Sequence, residues 1–253
     1  MPRNPGPSIV APTVEKPLVV VTGASSGIGE AIARRFAEAG HPLLLLARRL
    51  NRLQALGLPD SICAKVDVTD RAALEAAIRS AEAEYGATDC LVNNAGTLVL
   101  GELDAQDAEA WRKMFDVNVL ALMNGIQCVL GAMKERRHGT IINMSSIAGR
   151  KTFSDHAAYC GTKFAIHAIG ESVREGVAAH GVRVITIAPG AVETEMLSQT
   201  ASEALINDYE DWKRKIGGAL EPDAVARATL FAYQQPQNVC LREIVLSATG
   251  QNS

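Results

Sequence analysis

From Lys16 onward, short apolar runs alternate with longer stretches in which apolar residues recur every three or four positions. This alternation marks strand–helix–strand units, because a strand covered on both faces is apolar throughout whereas a helix buries one stripe. Residues 18–21 predict a first strand. Ile28, Ile32 and Phe36 then repeat at helical spacing, with Arg34, Arg35 and Glu38 at polar positions and Gly40 and Pro42 as a stop signal. Residues 43–47 predict the second strand, 62–66 the third, 90–92 the fourth, 140–144 the fifth and 182–188 the sixth, with 243–246 as a seventh. Helices are expected over 71–85, through a long region at about 105–134, and over 157–179. Residues 192–220 lack a clear period and read as a mobile loop with short helices. Nothing resembling a linker divides the chain after Lys16, so the expectation is a single-domain α/β fold: a doubly wound, mostly parallel Rossmann-type sheet with helices on both faces.

Composition narrows the function classes. The 253 residues are 47% hydrophobic and 21% charged, enough apolar material for a sizeable core. With 25 basic against 28 acidic side chains, the net charge of -3 gives no broad electrostatic reason to bind nucleic acid or an anionic membrane. No uninterrupted apolar stretch approaches the roughly 20 residues that cross a bilayer, so no membrane span is expected. Pro2, Pro5, Pro7, Pro12 and Pro17 crowd the start without the apolar core of a signal peptide, so residues 1–16 read as a flexible tail and 17–253 as the folded domain. Cys63, Cys90, Cys128, Cys160 and Cys240 are odd in number and widely spread, which fits a reducing, cytoplasmic setting. Neither these nor the five histidines show metal-ligand spacing, and no metal is expected.

Between the first strand and the first helix lies Thr22-Gly23-Ala24-Ser25-Ser26-Gly27-Ile28-Gly29. A glycine loop that ends at a helix N-terminus offers unpaired backbone N–H groups and the positive end of the helix dipole to a pyrophosphate. A dinucleotide is the implied ligand, although a bare tight turn would carry glycines too. The second strand ends in Ala47-Arg48-Arg49, with no carboxylate there to bond ribose hydroxyls. Arginine at this place can accommodate the 2′-phosphate of NADP, so NADP is favoured over NAD, unless Arg48, Arg49 and Arg52 merely begin a solvated helix.

Tyr159 and Lys163 are four residues apart, on one face of a predicted helix. A nearby ammonium favours the phenolate and would bring a phenol from its usual value of about 10 toward the working range of a proton shuttle. At these residues the chain resembles the short-chain dehydrogenase/reductase family, over about residues 16–246. Thr22 to Gly29 is similar to that family's cofactor loop, Asp67-Val68 to its adenine-contacting segment, Asn93-Asn94-Ala95-Gly96 to its strand-four motif, and Pro189-Gly190 to its turn after strand six. Ser146 stands 13 residues before Tyr159, like the family's catalytic serine, and Asn118 in Asp116-Val117-Asn118-Val119 matches its active-site asparagine.

The resemblance implies that Tyr159 is general acid in reduction and general base in oxidation, while Ser146 hydrogen-bonds the substrate oxygen. Lys163 would bond the nicotinamide ribose and lower the Tyr159 pKa, Asn118 would hold a relay water, and Thr194 would contact the nicotinamide carboxamide. The cofactor set is then Gly23, Ser25, Ser26, Gly27, Ile28, Gly29, Arg48, Arg49, Asp67, Val68, Asn94, Ala95, Gly96, Tyr159, Lys163, Pro189, Gly190 and Thr194. A small carbonyl or alcohol substrate is implied, as is a homo-oligomer, tetramer or dimer.

The segments 149–156 and 191–216 are left to choose the substrate. Phe153, Met196, Leu197, Leu205, Ile206, Tyr209 and Trp212 could form an apolar lid at about 191–220 or simply pack an irregular segment. His156 could line the pocket, and Arg150 could recognise a substrate carboxylate. The end of the chain lacks a Val-Asp-Gly-Gly-like closing segment, which resembles the branch of 3-hydroxy acid dehydrogenases and aldehyde reductases. The expectation is an NADPH-dependent carbonyl reductase, with a 3-hydroxy acid dehydrogenase and a non-catalytic NADP-sensing module as alternatives.

Overall fold

The computed structural model describes residues 16–252, so the expected tail, Lys16 excepted, lies outside the described residues. The strands are β1 Val19–Thr22, β2 Leu43–Ala47, β3 Ser61–Lys65, β4 Cys90–Asn93, β5 Gly139–Met144, β6 Val182–Pro189 and β7 Glu243–Leu246. They form one sheet in the order β3-β2-β1-β4-β5-β6-β7, parallel at every pairing. The order reverses between β1 and β4, and in such sheets a crevice opens outside the carboxyl ends of the strands at that switch point.

The apolar runs are explained by burial on both faces. Val19, Val21, Leu43, Leu45, Cys90, Val92, Ile142 and Ile185 face one core, and Leu18, Val20, Leu44, Leu46, Leu91, Ile141 and Val184 the other. The first core is closed by α1 Gly27–Glu38, α2 Leu50–Ala55 and α8 Pro222–Tyr233, through Ile32, Phe36, Leu53, Val225 and Tyr233. The second is closed by α3 Arg71–Tyr85, α5 Ala121–Arg136 and α6 Ala157–Val177, through Leu74, Ile78, Ile126, Val129 and Ile166.

The long helical region resolves into α4 Ala108–Phe115, a π-helical turn Asp116–Leu120 and α5. The run Ala108–Arg136 has the length and hydropathy of a bilayer-crossing helix, yet it packs Met114, Leu122, Ile126, Val129 and Met133 into the protein and is a core helix. Residues 192–220 are more ordered than the sequence pattern predicts. They contain a short 3-10 turn Glu195–Gln199 and the thirteen-residue helix α7 Glu203–Lys215, whose start is capped by the Ser202 side chain accepting from the Leu205 N–H.

Candidate active site

The loops after β1 and β4 are stitched together by Thr22 and Asn94. The Thr22 hydroxyl accepts from the backbone N–H groups of Asn94 at 2.9 Å and Ala95 at 3.0 Å, and the Asn94 amide donates to the carbonyls of Thr22 at 3.0 Å and Gly23 at 3.3 Å. Gly29 sits where α1 meets this junction, and a Cβ there would overlap both the Gly23 oxygen and the Asn94 amide nitrogen. Gly23 turns the chain at φ +68, in the left-handed region that glycine adopts freely. The glycines therefore bring the start of α1, with its unpaired N–H groups, close to the strand ends.

Arg49 joins the end of β2 to this loop. Its Nη2 donates to Ser26 Oγ at 2.7 Å and Ser25 Oγ at 3.3 Å, and its Nη1 donates to Glu195 at 2.9 Å. Asp67, beyond β3, accepts from the Thr69 N–H at 3.0 Å and hydroxyl at 2.7 Å, and these bonds hold its carboxyl below the usual range with help from Arg48.

The chemistry-bearing groups lie on β5 and α6. Just past β5, Ser146 caps a 3-10 turn, its Oγ accepting from the Ala148 N–H at 3.1 Å. Ser145 Oγ donates to the Lys163 carbonyl at 3.2 Å and so ties α6 to the strand end. Lys163 donates to the Met144 carbonyl at 3.0 Å and lies 5.5 Å from the centre of the Tyr159 ring. Both side chains are buried. Burial lowers the Lys163 pKa to about 8 and pushes that of Tyr159 up, with a Ser146 hydrogen bond drawing the phenol the other way. The ammonium thus reaches the ring face, and desolvation rather than attraction to Lys163 is the largest effect on the phenol, opposite to the direction expected from the Tyr/Lys spacing.

Asn118 lies in the π-helical turn, a backbone irregularity that often re-aims a side chain. Its Oδ1 accepts from the Thr97 N–H at 2.8 Å, and its Nδ2 donates to the Thr97 carbonyl at 2.9 Å and the Thr162 hydroxyl at 3.1 Å. Both amide hydrogens are therefore engaged with protein groups, and the oxygen accepts one bond of the two it can take. Gly96 stands between Asn118 and Lys163, a Cβ there falling 3.4 Å from Asn118 Oδ1 and 3.9 Å from Lys163 Nζ.

One cleft of about 300 Å³ runs along the strand ends. It is lined by Gly23, Ser25, Ser26, Gly27, Ile28, Arg48, Arg49, Asp67, Val68, Asn94, Ala95, Gly96, Ser146, Tyr159, Lys163, Pro189, Gly190 and Thr194. Gly29 and Asn118 stand behind that lining. The sequence pattern missed Ser145, which adjoins Ser146, as well as Lys113, Val117 and Glu195. Glu195 carries a readable signal only in following Thr194 directly, since its arginine partners are 146 and 143 positions away.

On the substrate side, Phe153, Met196, Leu197, Leu205 and Tyr209 pack with Tyr159, and Met196 Sδ accepts from the Tyr159 hydroxyl at 3.8 Å. His156 lies 6.3 Å from the Tyr159 ring and 6.4 Å from that of Tyr209, and burial lowers its pKa. Leu197 and Tyr209 also line a smaller cavity of about 200 Å³ with Lys213. Trp212 packs on Tyr209, ring to ring at 5.4 Å, and lines neither cavity. Arg150 makes a two-bond ion pair with Glu243 of β7, at 2.8 Å each, and lines neither cavity.

The family model described as short chain dehydrogenase matches residues 17–204. An uncharacterised oxidoreductase of Staphylococcus saprophyticus is 36% identical over 94% of this chain and 98% of its own. Among solved structures, the closed form of serine dehydrogenase complexed with NADP+ is similar at a TM-score of 0.86 and 32% identity, over 93% of this chain and 96% of that one. An alcohol dehydrogenase from the archaeon Thermococcus sibiricus, complexed with 5-hydroxy-NADP, gives 0.82 and 26%, over 94% and 99%. With its glycine loop, seven-stranded sheet and Tyr159/Lys163 helix, the chain belongs to the short-chain dehydrogenase/reductase family of oxidoreductases.

Proposed function

We propose that the protein is an NADPH-dependent carbonyl reductase, reversible as an alcohol dehydrogenase. The observation that carries this reading is the convergence of Ser146, Tyr159 and Lys163 on the same cleft as the glycine loop. Gly23 to Gly29 would receive the pyrophosphate, and the space a Cβ on Gly29 would fill is the close approach that such binding needs. Arg48 and Arg49 would take the 2′-phosphate, Asp67 and Val68 the adenine, Lys163 the nicotinamide ribose and Thr194 the carboxamide. Bound there, NADPH supplies the hydride.

In reduction, Tyr159 gives its proton to the carbonyl oxygen while Ser146 donates a hydrogen bond to the same oxygen. Burial suits Tyr159 to this direction, because it keeps the phenol protonated at neutral pH. In oxidation the phenol must ionise, and the Lys163 ammonium beside its ring favours the anion. Asn118 is a positioning residue that fixes Thr97 and Thr162 around this pair, and its Oδ1 keeps a second acceptor position with which it would hold the relay water. Met196 and Tyr209 belong to a lid at about 191–220 that excludes water during transfer.

The likeness to serine dehydrogenase favours a second reading, a 3-hydroxy acid dehydrogenase. Against it, Arg150 is committed to Glu243 and the side chains around Tyr159 are mainly apolar. The test is NADPH oxidation over a panel of neutral aldehydes and ketones, with 3-hydroxy acids assayed in the oxidative direction. Turnover of the neutral carbonyls is expected. Preference for the acids would select the second reading, and tight NADPH binding without any turnover would select a cofactor-sensing module.

The oligomer we propose is a tetramer. Besides Leu103, large apolar side chains are exposed on two groups of elements: Phe115, Leu120, Met123 and Phe164 on α4 to α6, and Phe231, Val239 and Val245 on or near α8 and β7. Two distinct self-complementary faces are what a tetramer of dihedral symmetry requires. The five free cysteines agree with a reducing, cytoplasmic setting.

A further inference from the structure

Glu195 stands where three parts of the cleft meet. Its carboxylate accepts from Arg49 Nη1 at 2.9 Å and from Arg52 Nη1 at 2.8 and 2.9 Å. Arg49 spends further donors on the glycine loop, through Ser26 at 2.7 Å and Ser25 at 3.3 and 3.4 Å. An anion gripped by two guanidinium groups beside a glycine loop is the arrangement a phosphate monoester would adopt. The residues on either side of Glu195 face the rest of the site. Thr194 closes on the glycine loop, where a Cβ on Gly27 would lie 3.0 Å from its methyl, and Met196 covers the Tyr159 hydroxyl.

We infer that Glu195 is a specificity-determining residue whose carboxylate holds Arg49 and Arg52 in the place of the cofactor's 2′-phosphate, so that NADP displaces it and NAD does not. The inference rests on the NADP reading above. A phosphate monoester carries close to two negative charges at neutral pH and three acceptor oxygens, so it outbids one carboxylate for the same arginines. Glu195 is half exposed and is easily released to water. The incoming charge then repels it, and Met196, the next residue in the same 3-10 turn, moves with it off the Tyr159 hydroxyl. Cofactor choice is thereby linked to access at the proton donor. NAD lacks the phosphate and leaves both the ion pairs and the Met196 contact in place.

The test is direct binding of 2′,5′-ADP, 5′-AMP, NADPH and NADH to the full chain by calorimetry, for wild type, Glu195→Gln, Arg49→Gln and the double variant. Glu195→Gln is expected to tighten 2′,5′-ADP and NADPH by about threefold or more and to leave 5′-AMP and NADH within about twofold. In the Arg49→Gln background the gain should largely vanish, an outcome that a general loosening of the turn would not produce. Unchanged or weaker 2′,5′-ADP binding by Glu195→Gln overturns the inference while leaving the NADP reading intact. Wild type that binds 2′,5′-ADP no better than 5′-AMP overturns both.

Discussion

At the scale of single residues, Lys163 is an ammonium enclosed among β5, α6 and the Gly96 turn, with the Met144 carbonyl as its hydrogen-bond partner. Burial lowers its pKa from 10.5 to about 8. Between these values the unfolded chain holds a proton that the folded chain has released, so stability attributable to Lys163 rises with pH through that window. At about 1.4 kcal/mol per pH unit, the effect is on the order of 3 kcal/mol across the whole window. Unfolding free energies of wild type and Lys163→Met, measured in denaturant at pH 7.5 and pH 9.5, should therefore diverge in favour of wild type at the higher pH. Parallel pH dependences would show that burial does not penalise this charge. The Tyr/Lys spacing made this pair legible in the sequence, but the sign of the phenol's shift was not. That sign depends on how deeply Leu98, Met114 and the lid residues enclose Tyr159, a matter of tertiary packing. The ion pair of Arg150 was illegible for the same kind of reason, because its partner Glu243 is 93 positions away.

At the scale of elements, β1, β2, β4, β5 and β6 were legible because each is buried throughout, which leaves a short and largely apolar run, whereas β3 and β7 are only partly buried. The helices were legible in proportion to their buried stripe. α3 has the predicted bounds, whereas α2 has one fully buried residue, Leu53, and α8 buries small or polar residues such as Ala226 and Thr229 that blur its period. The π-helical turn had no sequence signal beyond the Asn118 motif. Its importance lies in two bonds between the Asn118 amide and the backbone of Thr97, which pin the β4 loop to the turn, and a third to the Thr162 hydroxyl, which reaches α6. Asn118→Ala would leave the buried Thr97 N–H and carbonyl without partners, at a cost of about 2 to 4 kcal/mol. Equilibrium denaturation should show this loss, with weakened cofactor binding. Unchanged stability would mean that the turn does not depend on the amide.

At the scale of the whole molecule, the reversal of strand order between β1 and β4 sets the cleft, and everything proposed for the reaction converges on that one edge of the sheet. The proposed tetramer uses other surfaces. Leu120, half exposed on the π-helical turn, is the most exposed of the apolar side chains on α4 to α6, so Leu120→Glu should reduce the assembly in light scattering to dimers or monomers. A wild-type monomer would sink the tetramer. The proposed reaction depends on proton delivery by Tyr159, and its sharpest test is the rate of NADPH-dependent carbonyl reduction by Tyr159→Phe, measured alongside its NADPH dissociation constant. A fall in kcat of about 10² to 10⁴ is expected, with NADPH affinity within about twofold of wild type. A Tyr159→Phe enzyme that binds NADPH and turns over at the wild-type rate would contradict it.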